Sequence, residues 1–498
     1  MLRELLSFRD RYRILNYAWV AFFLTFVVWF NYAPFATVIR EELHLTIAQS
    51  RTISLCNLAL TIPARIIIGT ILDRLGPRVT FSAILIYAAL PCWAFAGAQN
   101  FSQLVLSRLA MGIVGAGFVV GVRLVGDWFE SDEIGLAQGI YGGWGNFGSF
   151  VSQAFLPIVA LATAANAGSE NWRLAIALSG LVSLGFGVLF YLNVQNTPPG
   201  KRYQRSARSG GMEVTSRASF WVLTLTNLPL FLVLGSIAWR LQLVGFLTPN
   251  TMQQVWVFLV GLFLLQTYHT FEINREVISG QIIYPAKDRD SAERTLRERV
   301  GQLFILELAY AVSFGSELAV VSMLPEYFEE TFNLSRQLAS LVAATYPLMN
   351  LFARPVGGLI SDKIGSRKWA LTLTIGGVGL SYLMMSKINP SMGLPWAILL
   401  TMFCAFFVCA GAGATFGIAP LIERRMTGQI AGNISAYGSV GSVLYAMTYS
   451  LLPQTVAGNN AFFQIIGVTG IVVACLCALL LKEPKVTKGD VESAIGSR

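Results

Sequence analysis

Charged residues are scarce in this chain of 498 residues, since Asp, Glu, Lys and Arg together make up 13% and hydrophobic residues make up 54%. Histidine occurs only at His44 and His269, and cysteine occurs six times. No cysteine has metal-ligand spacing with a histidine, so neither a metal site nor a redox cofactor is expected. The sequence also lacks a nucleophile–base pair, and we therefore do not predict an enzyme.

Long apolar runs, in contrast, recur from one end of the chain to the other. The mean hydropathy of +0.59 is too high for a soluble protein of this length, and the runs are long enough to cross a bilayer as helices. The sequence predicts an all-α membrane protein with fourteen spans, arranged as six, two and six. The predicted spans are 14–34, 49–72, 78–98, 103–126, 135–160, 172–194, 219–247, 252–271, 302–324, 337–361, 369–387, 395–421, 429–453 and 462–481.

The spans divide the chain into two six-helix bundles joined by a linker. We expect an N-terminal bundle over 1–194, a linker over 195–301, a C-terminal bundle over 302–482 and a tail over 483–498. The linker contains the middle pair of spans, an inserted helix pair over about 219–271. An even number of inserted spans leaves the two bundles in the same orientation.

The distribution of positive charge predicts the orientation in the membrane. Lys and Arg cluster before the first span and in alternate loops, at Arg3, Arg9, Arg11, Arg13, Arg74, Arg78, Lys201, Arg202, Arg205, Arg208, Arg275, Lys287, Arg289, Arg294, Arg297, Arg299, Lys363, Arg367, Lys368, Arg424 and Arg425. Cytoplasmic loops carry such an excess, so both termini are expected in the cytoplasm, in an inner or plasma membrane. The net charge of +9 follows from this topology, and nucleic-acid binding is not predicted. The charged first residues and the lack of a small-residue cleavage site predict no removable signal peptide.

One arginine-led pattern occurs twice, 289 residues apart. Arg65 precedes G-T-I-L-D-R-L-G-P-R, and Arg354 precedes G-L-I-S-D-K-I-G-S-R. The repeated loop residues are Gly69, Asp73, Arg74, Gly76 and Arg78 in the first copy and Gly358, Asp362, Gly365 and Arg367 in the second. An arginine inside an apolar span is unfavourable, so two at equivalent places indicate a duplicated structure built around one anionic ligand.

A glycine pattern repeats at a nearly equal offset of 293 residues. G-L-A-Q-G-I-Y-G-G-W-G-N-F-G begins at Gly135, and G-Q-I-A-G-N-I-S-A-Y-G-S-V-G begins at Gly428. The matching glycines within them are Gly139, Gly145 and Gly148 in the first copy and Gly432, Gly438 and Gly441 in the second. Two independent repeats with nearly one offset indicate two homologous halves.

These residues resemble a known family. The pattern G-x-x-x-D-x-x-G-x-R after the second helix of each half is similar to the loop signature of the major facilitator superfamily. The glycine pair resembles the two nitrate signatures of its nitrate/nitrite porter family, in particular its cyanobacterial type. Ser439 departs from this pattern, because the family carries asparagine there. The resemblance covers both halves and leaves 195–300 unexplained.

The midplane of the membrane is where the ligand would bind. If Asp73 and Asp362 mark the cytoplasmic interface, each arginine lies eight residues inward, which is about 12 Å along a helix. The resemblance implies that Arg65 and Arg354 bind nitrate, whose flat shape suits the parallel N–H donors of a guanidinium. It also implies that Asn146 contacts the anion. The alternatives are that the arginines pair with carboxylates or backbone carbonyls, and that Asn146 joins packed helices.

The helix that opens the second half carries further candidates on one face, because Glu307, Tyr310, Phe314 and Glu317 are spaced three, four and three. The resemblance implies that Tyr310 contacts the substrate and that Glu317, in F-G-S-E-L, carries a proton, as in proton-coupled uptake porters. It also implies that Phe118 and Phe416 wall the anion on two sides. The alternatives are a structural or vestibular glutamate and simple aromatic packing. For the signature glycines we expect close helix packing, and for the repeated loops cytoplasmic gating contacts.

The resulting prediction is a secondary transporter of nitrate, and of nitrite as well, that acts as a monomer by alternating access with protons as the coupling ion. Within the same class, nitrate/nitrite antiport and transport of another small anion such as formate remain alternatives. A nitrate sensor that does not transport is the alternative from a different class.

Overall fold

The computed structural model describes residues 10–130, 132–164, 171–201, 203, 217–279, 286–422, 426–453 and 455–483. At 218, 219, 277, 286–300, 326, 336, 337, 340 and 450 it describes the backbone alone. Several charges used above to predict orientation therefore lie outside the described residues or side chains: Arg3, Arg9, Arg202, Arg205, Arg208, Lys287, Arg289, Arg294, Arg297, Arg299, Arg424 and Arg425. Most of the predicted tail lies outside them as well.

The first half is helical throughout its described length. Its helices are α1 (Asp10–Phe30), α2 (Ala36–Glu42), α3 (Ile47–Leu75), α4 (Pro77–Tyr87), α5 (Ala89–Ala96), α6 (Phe101–Gly112), α7 (Gly117–Trp128), α8 (Ile134–Asn146), α9 (Gly148–Ala162) and α10 (Trp172–Asn193). Short 3₁₀ segments lie at Ala33–Phe35 and Ile113–Ala116.

The insert and the second half continue in the same way. The insert contains α11 (Arg217–Leu243), α12 (Pro249–Ile273) and α13 (Arg275–Ile278). The second half contains α14 (Ala286–Phe332), α15 (Arg336–Ala343), α16 (Thr345–Leu348), α17 (Asn350–Lys363), α18 (Arg367–Met385), α19 (Leu394–Ile422), α20 (Thr427–Leu451) and α21 (Val456–Leu480).

The helix that carries Arg65 has clear local signals at both ends. Thr46 and Gln49 form a capping box at its start, which satisfies backbone N–H groups that lack a partner within the helix. At its end, Gly76 has φ +87°, and the equivalent Gly365 after α17 has φ +75°. Glycine adopts this left-handed backbone without strain, so the repeated glycines end the two arginine-bearing helices at equivalent places.

Eleven helical segments of the described chain are long and apolar enough to cross a membrane, including Phe220–Leu243 and Pro249–Ile273 of the insert. Three predicted spans of the second half are helical without meeting that measure. The span predicted over 337–361 is divided into α15, α16 and α17, and Ala344 and Met349 between them keep right-handed helical backbone. The spans around α18 and α20 are less apolar because they carry glycine, serine, threonine and tyrosine.

The two halves meet along two helix pairs, α3 with α20 and α8 with α17. In each pair, the helix that carries the repeated arginine of one half packs against the glycine-rich helix of the other half. The inserted α11 packs on α3, α14 and α20, so it lies along the seam between the halves. The second inserted helix, α12, packs mainly on α11 and buries little of its surface.

Asp73 and Asp362 lie at one end of the bundle, which we call the motif end. Both limits of the described chain are at this end, since Arg11 pairs with Glu133 at 2.9 Å and Glu483 accepts a hydrogen bond from the Arg367 amide at 2.7 Å. Glu42 and Arg173, which pair at 3.0 Å, lie at the opposite end.

Candidate functional site

The two repeated arginines are the centre of the candidate site. Arg65 on α3 and Arg354 on α17 have relative exposures of 0% and 2%, respectively. Their helices belong to different halves and both lie at the seam. The structure therefore brings the two buried guanidinium groups to the interface between the halves.

Neutral acceptors surround the Arg65 guanidinium. Its Nη1 donates to the backbone oxygen of Ser435 and to Ser439 Oγ at 3.0 Å, and its Nε donates to the Gly115 oxygen at 3.2 Å. Ser435 and Ser439 belong to the second half, so Arg65 reaches across the seam. Within the described residues no carboxylate pairs with it, and its positive charge is available for an anion.

Arg354 reaches across the seam in the opposite direction. Its Nη1 donates to the Gly142 oxygen at 3.2 Å. The Asn146 side-chain amide faces the same guanidinium, and its oxygen, oriented toward the arginine, accepts from Nη2 at 3.3 Å and also from Nη1. Asn146 thus stands to Arg354 as Ser439 stands to Arg65. The residue that interrupts the asparagine pattern occupies the symmetric position beside the other arginine.

Unlike Arg65, Arg354 has a carboxylate nearby. Glu317 Oε2 lies 3.9 Å from Arg354 Nη2, and Glu317 Oε1 accepts from Asn350 Nδ2 at 2.6 Å. Two guanidinium groups and one carboxylate leave the cluster with a net positive charge, which favours an anionic ligand.

Aromatic rings lie directly against the two cations. The Phe314 ring centre is 5.5 Å from the Arg65 guanidinium carbon and 5.6 Å from that of Arg354. Tyr310 stacks on Phe314 with centroids 5.0 Å apart, and Phe416 contacts both Tyr310 and Phe118 edge to face, at 4.8 and 4.6 Å. The predicted residues Tyr310, Phe118 and Phe416 therefore form one aromatic cluster with Phe314 beside the arginines.

The signature glycines lie where helices approach each other most closely. A Cβ on Gly139 would come within 2.6 Å of the Arg354 backbone oxygen, and one on Gly432 would come within 2.6 Å of the Arg65 oxygen. The remaining four face the first helix of their own half: Gly145 meets Phe22, Gly148 meets the Phe23 backbone, Gly438 meets Tyr310 and Phe314, and Gly441 meets the Ala311 backbone. These contacts set the spacing of the helices that hold the site.

At the motif end, each repeated aspartate contacts the first turn of a helix in the other half. Asp73 accepts from the amides of Gly428 and Gln429, both at 3.1 Å. Asp362 accepts from the amides of Gly135 and Leu136 at 3.1 and 2.8 Å. A carboxylate at a helix N-terminus is favourable because it satisfies free N–H groups and complements the helix dipole. The two contacts hold the halves together at this end.

The cationic partners of these aspartates differ between the halves. Arg367 pairs with Asp362 at 2.8 Å, as its place in the repeated loop suggests. Arg78 instead donates to the Tyr191 oxygen at 2.7 Å, and Arg123 of α7 lies 3.7 Å from Asp73. Arg74 is exposed. The loops thus repeat in sequence while their ion pairs do not.

Sequence reasoning missed Arg123, Asn350 and the contact of Phe314 with both cations. Arg123 carried a signal, because it is an arginine in an apolar stretch with Asp127 four residues later, and the two pair at 2.9 Å. The linker residue Tyr203 was missed as well: its ring lies 5.1 Å from the Arg123 guanidinium carbon, and its hydroxyl donates to the Leu72 oxygen at 2.8 Å. Burial raises the pKa of the Tyr203 phenol, so the hydroxyl stays protonated and able to donate.

Metal-binding clusters are absent from the described residues, in which no group of three His, Cys, Asp or Glu side chains could hold an ion. Five of the six cysteines are buried, Cys475 is exposed, and all six are free.

Comparison with known proteins identifies the family. The profile of the Major Facilitator Superfamily matches residues 18–282 and 306–496. The chain is 51% identical, over 97% of its length and 95% of the relative's, to the nitrate/nitrite transporter NrtP of Nostoc punctiforme. It is 50% identical, with the same two coverages, to NrtP of Picosynechococcus.

Among solved structures, the fold is similar to that of a double-tryptophan mutant of XylE, with a TM-score of 0.66 at 15% identity over 97% of this chain and 98% of that one. The predicted all-α membrane fold with two six-helix bundles is confirmed, and the protein is a multi-pass membrane transporter rather than an enzyme. The chain belongs to the Major Facilitator Superfamily and, within it, to the nitrate/nitrite porter family.

Proposed function

We propose that this protein carries nitrate, and nitrite as well, through the site between Arg65 and Arg354 by alternating access. The observation that carries the proposal is the pair of buried guanidinium groups, one from each half, with a single nearby carboxylate among the described residues. Two relatives about half identical over nearly the whole chain are named as nitrate/nitrite transporters, which supports this choice of anion.

Nitrate suits this cluster on chemical grounds. It is planar and singly charged, and a guanidinium presents parallel N–H donors in its own plane. Asn146 and Ser439 lie beside the two arginines, where an amide and a hydroxyl can each donate to an anion oxygen. Aromatic faces exclude water around the pair, which strengthens the attraction between the cations and the anion.

The placement of the site supports alternating access. An anion held by one arginine from each half favours closure of the halves around it. The motif end is closed in this conformation by Asp73 and Asp362, and we place that end in the cytoplasm because positive charge concentrates there. Release into the cytoplasm then requires these contacts to break.

Proton coupling has a physical basis in the pair Glu317–Arg354. A charged Glu317 competes with the bound anion for Arg354, because its Oε2 is 3.9 Å from Nη2. Protonation removes this competition, so a proton and nitrate favour each other's binding, and the coupling is reciprocal by thermodynamic linkage. Inward movement of both together is proton-coupled uptake.

The decisive experiment is nitrate flux in proteoliposomes with the pH and nitrite gradients imposed separately. We expect uptake when the outside is acidic and the inside contains no nitrite. Uptake that requires internal nitrite would instead support nitrate/nitrite antiport. Competition by a panel of anions against labelled nitrate tests transport of another small anion, such as formate. Nitrate binding without any flux under either gradient would support a sensor and would reject the transporter.

A further inference from the structure

A second buried carboxylate of α14 remains outside the site described above. Glu307 has a relative exposure of 2%, and its Oε2 has no hydrogen-bond partner among the described residues. An isolated charged carboxylate is strongly unfavourable at such burial, so the protonated form fits this environment. The group therefore holds a proton in this conformation unless a conformational change brings it water or a cation.

The position of Glu307 relates it to the arginine site. It lies on the same face of α14 as Tyr310 and Glu317, three and ten residues before them. Ten residues correspond to about 15 Å along the helix axis. Gln302, earlier on α14, accepts from the Lys482 amide at 2.8 Å, so α14 runs from the motif end inward. Glu307 thus lies between the motif end and the aromatic cluster, whereas Glu317 lies on the far side.

The charged surroundings of Glu307 are sparse. Of the described ionisable groups on the helices packed against α14, Tyr437 of α20 is the one in electrostatic contact with it. No ion pair joins Glu307 to a described arginine, lysine or histidine. The carboxyl group therefore lacks the partner that a purely structural ion pair would have.

The inserted helix α11 encloses this region. The Tyr437 hydroxyl donates to the backbone oxygen of Thr226 on α11, and α11 packs on α14, α20 and α3. The insert therefore covers the side of the seam on which Tyr437 and Glu307 lie. Ala18, the residue at the equivalent position of the first half, is also buried, so the carboxylate belongs to the second half alone, as do Tyr310 and Glu317.

We propose that Glu307 carries a proton during the transport cycle. It holds this proton on the motif-end side of the arginine site and releases it when that end opens. This inference rests on the proton-coupled mode proposed above. The proton is bound to the Glu307 carboxyl group in the present conformation and passes to water at the motif end after Asp73 and Asp362 release their helices. The empty transporter then returns only after the proton has left, so net uptake depends on this step and exchange does not.

The test compares two fluxes in proteoliposomes that contain the full chain. One is nitrate uptake driven by external acid, and the other is nitrate counterflow at equal pH. Glu307→Gln mimics the protonated carboxyl group at every pH. We expect this variant to reduce acid-driven uptake by a factor at least tenfold larger than the factor by which it reduces counterflow. Glu307→Asp keeps a titratable carboxyl group and should recover part of the acid-driven uptake. Glu330→Gln makes the same chemical change at an exposed position of α14 and should leave the ratio of the two fluxes unchanged.

Each other outcome rejects the proposal in a distinguishable way. Acid-driven uptake by Glu307→Gln equal to that of the wild type shows that this carboxyl group carries no proton. Equal loss of both fluxes by Glu307→Gln, without recovery by Glu307→Asp, assigns the residue a structural role. Wild-type nitrate uptake that external acid does not accelerate removes the proton-coupled mode itself, and absence of wild-type nitrate flux removes the proposed substrate.

Discussion

Ser439 Oγ accepts a hydrogen bond from Arg65 Nη1 at 3.0 Å, and it occupies the position at which the first half has Asn146. Asn146 in turn lies against Arg354. Each half thus supplies one guanidinium group and one small polar partner for the guanidinium group of the other half. The pairing is symmetric in position and asymmetric in chemistry, because an amide can span a longer distance to a bound anion than a hydroxyl can.

Loss of the Ser439 hydroxyl should weaken nitrate binding moderately. Ser439→Ala removes one of the three hydrogen bonds that orient Arg65, and a hydrogen bond to a charged group contributes about 1.5–3 kcal/mol. We expect the KM for nitrate to rise about tenfold, whereas Ser439→Asn should keep transport. Flux measured over a range of nitrate concentrations checks both; an unchanged KM in Ser439→Ala would mean that Arg65 is oriented without the serine.

Replacement of either arginine by lysine should weaken nitrate binding strongly. Arg65→Lys and Arg354→Lys keep the charge and lose the planar fork of donors. Because each change removes one charge-assisted hydrogen bond to the anion, we expect nitrate affinity to fall about ten- to a hundredfold. Equilibrium binding of labelled nitrate to the purified protein is the measurement. Arg40→Lys, at the opposite end of the bundle, is the control, and equal effects of all three changes would contradict the proposed site.

The aspartates at the motif end should control its opening. Asp73→Asn and Asp362→Asn weaken charge-assisted contacts to the first turns of α20 and α8, and Asp362→Asn also removes the ion pair with Arg367. Each change should raise the population that is open at this end about tenfold or more. Hydrogen exchange of the amides at Gly428 and Gly135 should become faster. Glu41→Gln at the other end should leave that exchange unchanged, and unaltered exchange in the aspartate variants would show that these contacts do not close the bundle.

The close helix contacts should not tolerate even a methyl group. Gly139→Ala and Gly432→Ala place a Cβ about 2.6 Å from backbone oxygens, and backbone cannot move aside as a flexible side chain can. Overpacking of this kind costs about 1–3 kcal/mol. We expect a lower melting temperature in detergent and a loss of flux of more than tenfold. Gly185→Ala, with nothing within 4 Å of the added Cβ, is the matched control and should be stable and active.

Removal of the Glu317 charge should strengthen nitrate binding at neutral pH and uncouple transport from protons. Glu317→Gln keeps an oxygen that can accept from Asn350 and ends the competition for Arg354 at 3.9 Å. We expect several-fold tighter nitrate binding and a binding constant that depends less on pH, because the group that loses a proton as pH rises is gone. Titration of binding between pH 5 and pH 8 measures this. A Glu317→Gln variant with the wild-type pH dependence would assign the coupling to another residue.

Much of the fold was predictable, because apolar runs and repeated motifs are local properties of the chain. The two repeats at 289 and 293 residues indicated two matching halves before any packing was known. The breaks in the predicted span 337–361 were not predictable, because a proline can end a helix or lie within one. Pro347 lies in the short α16, whereas Pro355 lies inside the continuous α17. The inserted pair was predicted as helices, and its membrane crossing stays a prediction.

The sequence suggested most residues of the candidate site, while the contacts between them were not predictable. Arg65 and Arg354 stood out by residue type and position, and Asn146 and Tyr310 were suggested by the family resemblance. Glu317 lies near Arg354 rather than near Arg65 because α14 and α17 both pack against α19. No sequence pattern contains this information.

The amino-acid sequence alone specifies the composition of the halves: which residues repeat, which positions carry charge inside apolar spans, and which residues lack a counterpart. Tertiary packing decides which residues of the other half each guanidinium group contacts. It places Ser439 beside Arg65, where the family has asparagine, and it places Arg123 rather than Arg78 beside Asp73. Packing has this role because hydrogen bonds and ion pairs act over a few ångströms between helices that are hundreds of residues apart in the chain. The helix spacing, set here by glycines at the crossings, decides which of those residues come within reach of one another.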